Sequence, residues 1–342
     1  MRSWRLALLT MLTLLTSVSG SRPAEAQSFY EGKTVRIIVG LAPGGGFDTY
    51  ARAIARHLGK HVPGNPTVIV ENMPGAGSLI SANHIYKVAK PDGLTVAKFN
   101  GSLMLGQVLG QPGVEFDARK FEFVGAAVKE DVACGLTKAS GITSVEKWMA
   151  SSTPVKLGGV APGGSPDNTA RILKAALGLP IQLVSGYKGT AEIRLAADGG
   201  EVAGACWSWE SMRATWRNAL QAGDAVAVLQ VTARSFPDLP NVPLAINLAK
   251  TDEARRLIQV GVQNSSAFAR PFVLPPGTPK ERVQILRKAL QETLKDSAFL
   301  AEAEKAKLTL DPVTGEELEK MVGELFTLEP ALLAKLKEIL YN

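Results

Sequence analysis

The chain has 342 residues, 46% of them hydrophobic and 20% charged, with a formal net charge of +6. That length suggests about two domains. Lys and Arg are scattered among acids with no basic stripe, which speaks against a nucleic-acid partner, while a modest positive field favours anionic solutes.

Residues 1–26 read as an export signal. Arg2 and Arg5 form a basic start, Leu6 to Val18 a mostly apolar run too short for a membrane span, and Ala24-Glu25-Ala26 a cleavage site. No Cys stands near that site, so no lipid anchor is expected there. Removing the signal lowers the formal charge from +6 to +4. No later stretch is long and apolar enough to cross a bilayer.

From the mature start the pattern alternates. TVRIIVG reads as a strand, Thr49 to Leu58 as a helix ending near Gly59 and Pro63, and TVIVEN as a second strand. The turn MPGAGS and a helix through Val88 follow, and PDG leads to the strand LTVAKF. This order predicts a largely parallel sheet covered by helices. It then recurs: a bridging strand over Val132 to Leu136, a helix from Ser144 to Ala150, VKLGGV, a glycine turn with its helix, IQLVSG, a helix over Thr190 to Ala197, EVAGACW, another helix and AVAVLQV. After the Pro-rich SFPDLPNVP, residues 279–309 contain a strong helix, with Thr278 as its cap, Pro279 at its first position and Val283, Leu286, Leu290 and Leu294 on its apolar face. Thr314 and Glu317 have the spacing of a capping box, and Pro330 interrupts the last helical region.

One pattern appears twice. Residues 42–52 read APGGGFDTYAR and residues 161–171 read APGGSPDNTAR, each between a strand and a helix. A strand that breaks at Pro-Gly-Gly and restarts as a helix aims several N–H groups at one spot, at the positive end of the helix dipole. Glycine lets an anion approach that backbone because no Cβ intervenes. Two such turns predict two similar lobes gripping one anionic ligand. Asp48 and Asp167 stand in the first helical turns, where they either cap free N–H groups or touch a ligand amine or hydroxyl.

With these residues in view, the chain resembles the periplasmic solute-binding receptors of tripartite tricarboxylate transporters, the Bug family. The match rests on YEGKTVRIIVGLAPGGGFD, VENMPGAGS, PDGLTV, the second glycine turn, GYKG, SFPDLPNVP and LPPGTP, in this order. The resemblance implies an α/β, two-lobed type II periplasmic-binding fold, each lobe a mostly parallel sheet flanked by helices. Residues 27–130 then form the first part of lobe one, 131–235 lobe two, and 236–342 the return to lobe one with C-terminal helices. It also implies a non-enzymatic, monomeric receptor in the periplasm. It would need no cofactor and would pass a small organic carboxylate to membrane permease subunits. Carried over turn by turn, the ligand contacts are Gly44, Gly45, Gly46, Phe47 and Asp48; Gly75, Ala76, Gly77 and Ser78; Asn100, Gly101 and Ser102; Gly163, Gly164, Ser165 and Asn168; Lys188 and Gly189; and Trp207 and Ser208. Phe47 stands where the family usually has a small residue, and Trp207 and Trp209 are bulkier than is common. These changes imply a mono- or dicarboxylate with hydrocarbon or ring character ahead of citrate, with Lys188 as the site's cation.

The rival functions are a secreted enzyme on a similar fold and a ligand-sensing partner of a membrane kinase. A dinucleotide site lacks the third glycine, since Thr49 stands three residues after Gly46, where that glycine belongs. Ser185 to Lys188 spells S-x-x-K without its K-T-G partner. His57 and His61 have the spacing of a metal pair but no acidic cluster near them in sequence, so they read as exposed complements to a helix dipole and no metal site is expected. Cys134 and Cys206 lie in apolar runs. Sequence alone favours buried free thiols, with pairing in an oxidising compartment as the alternative.

Overall fold

The computed structural model describes residues 29–341, so the expected signal segment lies outside the described residues. Two sheets form, each with helices on its faces. The first holds β1 (Thr34–Val39), β2 (Thr67–Asn72), β3 (Thr95–Lys98), β4 (Glu122–Ala126), β10 (Phe272–Leu274) and β11 (Val313–Thr314), in the order β11-β4-β10-β3-β1-β2. The second holds β5 (Val132–Thr137), β6 (Val155–Gly158), β7 (Ile181–Val184), β8 (Gly204–Ser208) and β9 (Ala225–Gln230), in the order β7-β6-β8-β5-β9.

The chain crosses between lobes twice, and both crossings leave the same mark. β5, the first strand after the outward crossing, runs antiparallel to β8 and β9. β10, the first strand after the return, runs antiparallel to β3 and β4. A chain leaving one sheet at its carboxyl edge enters the next from the facing edge, so the arriving strand runs against its neighbours. The remaining core pairs β1·β2, β1·β3, β6·β7 and β6·β8 are parallel.

Packing follows from amphipathic spacing. The helix Gly46–Leu58 buries Phe47, Tyr50, Ala51, Ile54 and Leu58, a stripe at helical period. It joins Val35 and Ile37 of β1 and Val283 and Leu286 of the helix Lys280–Thr293 in one apolar cluster. The helix Gly315–Leu325 packs on β4 and begins with the complete Thr314–Glu317 capping box. Thr278 does not cap the helix Lys280–Thr293; its hydroxyl donates to the Pro275 carbonyl instead, and Pro279 is the cap residue. Residues 245–263 lie against the second-lobe helix Ser165–Leu177, as does the last helix, Pro330–Tyr341, and the chain rejoins the first sheet at β10. No described helix is long and apolar enough to cross a membrane.

The cysteines correct the free-thiol expectation. Cys134 and Cys206 face each other across the antiparallel β5·β8 ladder and form a disulfide, with both residues fully buried. The direction of β5 decides this: without knowing that it pairs antiparallel with β8, sequence spacing cannot put the two thiols opposite each other. The bond closes a 72-residue separation, for which chain-entropy reasoning gives about 4 kcal/mol of stabilisation. Replacing both cysteines by serine is expected to lower unfolding stability by about 2–5 kcal/mol. Denaturant melts of the oxidised protein and the double variant check this; coincident midpoints would refute the structural role of the bond.

Candidate functional site

The loops at the carboxyl ends of the strands meet along one seam between the lobes. Ala42 N–H donates to the Lys188 carbonyl at 3.0 Å, and Gln111 Nε2 donates to the Pro162 carbonyl at 3.0 Å. The glycines allow this closeness. A Cβ on Gly45 would lie 2.9 Å from the Thr190 hydroxyl oxygen, and one on Gly46 would collide with the Ser211 hydroxyl. Gly77 faces Ala161 and Gly164 so closely that its Cβ would stand 3.3 Å from the Ala161 methyl. Gly77 also belongs to a left-handed run, Gly75 to Ser78, in which Ala76 and Ser78 adopt positive φ against their steric preference.

Asp48 and Asp167 hold the two turns. Asp48 accepts from the Gly44 N–H at 2.9 Å, from Arg52 Nε at 2.9 Å and from Asn72 Nδ2 at 3.0 Å. Burial alone would push its carboxyl up; the bonds from Arg52, Gly44 and Asn72 outweigh that and hold it below the ordinary carboxylate range. Asp167 accepts from the Val160 N–H at 2.6 Å, the Ala161 N–H at 3.1 Å and the Ser185 hydroxyl. Here burial dominates and the carboxyl sits above its ordinary value. Both side chains face back into their own loops, and this leaves the helix N-terminal N–H groups to other acceptors.

Two small cavities lie in the seam. One, of about 20 Å³, is lined by Leu41, Phe47, Asn100, Glu130, Val160, Ser165, Pro166, Thr190, Trp207, Ser211 and Arg270. The other, of about 10 Å³, is lined by Ser102, Glu130, Val132, Ser165, Asn168, Thr169, Gly261, Val262, Ser265, Ser266 and Ala269. Each has room for about one water. Glu130 and Ser165 line both. Phe47 and Ser165, the residues that follow the two glycine runs, thus share one cavity.

Of the residues singled out by sequence, Phe47, Asn100, Ser102, Ser165, Asn168 and Trp207 line the cavities. Gly45, Gly46, Gly77, Gly101, Gly163, Gly164 and Gly189 are buried in the surrounding loops. The Gly101 N–H donates to the Ala269 carbonyl at 2.9 Å. Gly75 packs beside Ile80, and Ser78 is buried one turn behind. Ser208 caps the helix Trp209–Thr215. Gly44, Ala76 and Lys188 are exposed, and the Lys188 side chain lines neither cavity.

The cation in the wall is Arg270, 2% exposed, which sequence reasoning passed over. Its Nε donates to Glu130 Oε2 at 3.0 Å, and its guanidinium lies 4.9 Å from the Phe47 ring centre. Its Nη1 has no hydrogen-bond partner, and neither do Trp207 Nε1 and Ser211 Oγ in the same cavity or Asn168 Oδ1 and Ser265 Oγ in the other. Lys98 lies just behind, with Nζ 3.4 Å from the Arg270 carbonyl and 4.3 Å from the Phe272 ring centre; burial, then the nearby Arg270, push its ammonium well below its ordinary value. Burial likewise pushes the Glu210 carboxyl up to about 7. The sequence signal is uneven: Arg270 is the lone charge in the apolar stretch AFARPFVL, two residues before β10, whereas Glu130 is the middle of the charged run Lys129-Glu130-Asp131 and does not stand out.

The excluded chemistries also find places. His57 pairs with Glu302 at 2.8 Å and His61 with Asp296 at 3.3 Å, so the two imidazoles are tied to the helix Ser297–Ala306 and its cap and are largely covered, not exposed as read from sequence.

Against known proteins, residues 50–336 match the model of the tripartite tricarboxylate transporter family receptor. The chain belongs to that family. This is a family of receptors, not enzymes. A relative from Agrobacterium vitis, encoded in the TAR-I ttuE-ttuC' intergenic region, is 28% identical over 86% of this chain and 80% of its own length. The periplasmic binding protein BugD is similar in fold, with a TM-score of 0.74 at 22% identity over 91% of this chain and 98% of that one. MatC from Rhodopseudomonas palustris, described with bound malate, has a TM-score of 0.70 at 20% identity, covering 90% and 99%. The two-lobed α/β architecture is therefore that of periplasmic binding proteins.

The Asp48 network carries a pH signature. Its folded value lies below its unfolded value near 3.8, so its contribution to stability is present in full above that unfolded value and is lost as pH falls through the folded one. Asp48→Asn is expected to destabilise the protein by about 1 kcal/mol at neutral pH, and the difference should shrink below about pH 4. Melts from pH 3 to 7 check this; a difference independent of pH would contradict it.

Proposed function

We propose that this protein is an exported periplasmic receptor that closes its two lobes on a small organic carboxylate and delivers it to the permease of a tripartite tricarboxylate-type transporter. The supporting observation is the set of buried polar atoms without partners in the seam: Arg270 Nη1, Trp207 Nε1 and Ser211 Oγ in one cavity, Asn168 Oδ1 and Ser265 Oγ in the next. Buried polar groups are normally satisfied, and leaving one unpaired costs about 1–3 kcal/mol. Two of the first three are donors only and the third is a hydroxyl, a set suited to an acceptor such as a carboxylate. The malate described with MatC makes four-carbon acids the first class to test.

Cavities of this size do not hold such an acid, so the lobes must part from the present arrangement to admit it and then close on it less tightly than they meet here. A panel of two- to six-carbon mono- and dicarboxylates, with and without hydroxyls, would be screened by thermal shift. The best binder would then be followed by small-angle scattering. Saturating carboxylate is expected to raise the melting temperature, because it binds only the folded state, and to reduce the radius of gyration. Gly45→Val, whose side chain would meet Thr190 on closing, is expected to remain folded and lose both responses. A panel without any binder, or binding without compaction, would overturn the reading.

A further inference from the structure

The proposed function names a carboxylate but not its charge or its second functional group. Resting on that reading, we infer that Arg270 is the ligand's ionic anchor and that the ligand is a small monocarboxylate carrying a neutral hydrogen-bonding group such as a hydroxyl, not a di- or tricarboxylate.

Three observations converge. First, Arg270 is the only cationic side chain lining either cavity among the described residues. Its fork is half used: Nε is engaged by Glu130 while Nη1 is buried and unpartnered. Second, that nitrogen lies at the start of the thirteen-residue helix Gly46–Leu58. A Cβ on Gly46 would stand 3.4 Å from Nη1 and against Ser211 Oγ, itself buried and unpartnered. A guanidinium N–H, a hydroxyl and the positive end of a helix dipole therefore face one spot, with Trp207 Nε1 in the same wall. This is a site for one carboxylate.

Third, Glu130 lines both cavities. A ligand reaching from the Arg270 cavity into the second passes this carboxylate. A second negative charge there would meet Glu130 with no cation opposite it, and like charges at close range in a dry site repel strongly. The second cavity presents Asn168 Oδ1, an unpartnered acceptor, and Ser265 Oγ, an unpartnered hydroxyl. Together they suit a neutral group that donates a hydrogen bond. Phe47, Val160 and Pro166 line the first cavity and can contact a short hydrocarbon segment between the two ends.

The test uses matched four-carbon probes: butanoate, 3-hydroxybutanoate and succinate, measured by titration calorimetry on the full mature chain at several salt concentrations. Wild type is expected to bind 3-hydroxybutanoate at least tenfold more tightly than succinate. Removing Arg270 alone would strand Glu130, so the decisive variant is Arg270→Gln combined with Glu130→Gln, which strands neither member of the pair. It should fold, as judged by circular dichroism and its melting curve, and lose carboxylate affinity by at least about 30-fold. Glu130→Gln alone should narrow the gap between succinate and 3-hydroxybutanoate by raising succinate affinity. A folded double variant that binds within threefold of wild type would refute the anchor. Tighter binding of succinate than of 3-hydroxybutanoate by wild type would refute the single-charge assignment. Both of those results leave the receptor reading standing, whereas wild type that binds no acid in the wider two- to six-carbon panel removes that reading and this inference together.

Discussion

A buried charge needs a partner, and the pairing of Arg270 with Glu130 shapes the middle of this molecule. Glu130 sits on the outward crossing between β4 and β5, and Arg270 on the return just before β10. Their bond ties the two crossings together at the floor of the cleft. The neighbouring backbone does the same, with the Glu130 N–H on the Ser266 carbonyl and the Ser266 hydroxyl on Asp131. Isolated, either charge would carry several kcal/mol of desolvation cost. Paired, they hold the two crossing segments side by side. The guanidinium nitrogen left over is then positioned by the fold itself, so the proposed anchor for an anion is built into the crossing between the lobes.

The glycine turns complete it from both sides. Their value is steric as much as electrostatic. Gly45, Gly46 and Gly77 let loops from opposite lobes approach to within van der Waals contact, which side chains at those positions would prevent. Asp48 and Asp167 then hold each turn in shape from behind through main-chain N–H groups. Each carboxylate is spent on its own loop and on one neighbouring residue, Asn72 for Asp48 and Ser185 for Asp167, and neither lines a cavity.

Most of the frame could be read from the chain. Alternating strand and helix, the two Pro-Gly-Gly turns, the Thr314–Glu317 capping box and Phe47, Asn168 and Trp207 as cavity residues all follow from local pattern or from the family's loops. What escaped was non-local. Cys134 and Cys206 meet only because β5 enters its sheet in reverse, a consequence of topology with no local signature. Arg270 lies in an apolar stretch far from either glycine turn, and nothing nearby announces Glu130 as its partner. Lys188 drew attention because it is a cation beside a conspicuous turn, yet its side chain faces solvent. Charge near a motif is a local clue; charge buried by the fold must be found from the fold.

Closure of the two lobes on a carboxylate is the central claim, and an inter-lobe distance reports it most directly. Ile80 in the first lobe and Leu195 in the second are both exposed, 52% and 64%, so spin labels on cysteines at these positions leave the core and the native disulfide undisturbed. Pulsed electron resonance should give a longer, broader distance distribution without ligand and a single short distance with saturating carboxylate. A distribution unchanged by an acid that demonstrably binds would contradict the account.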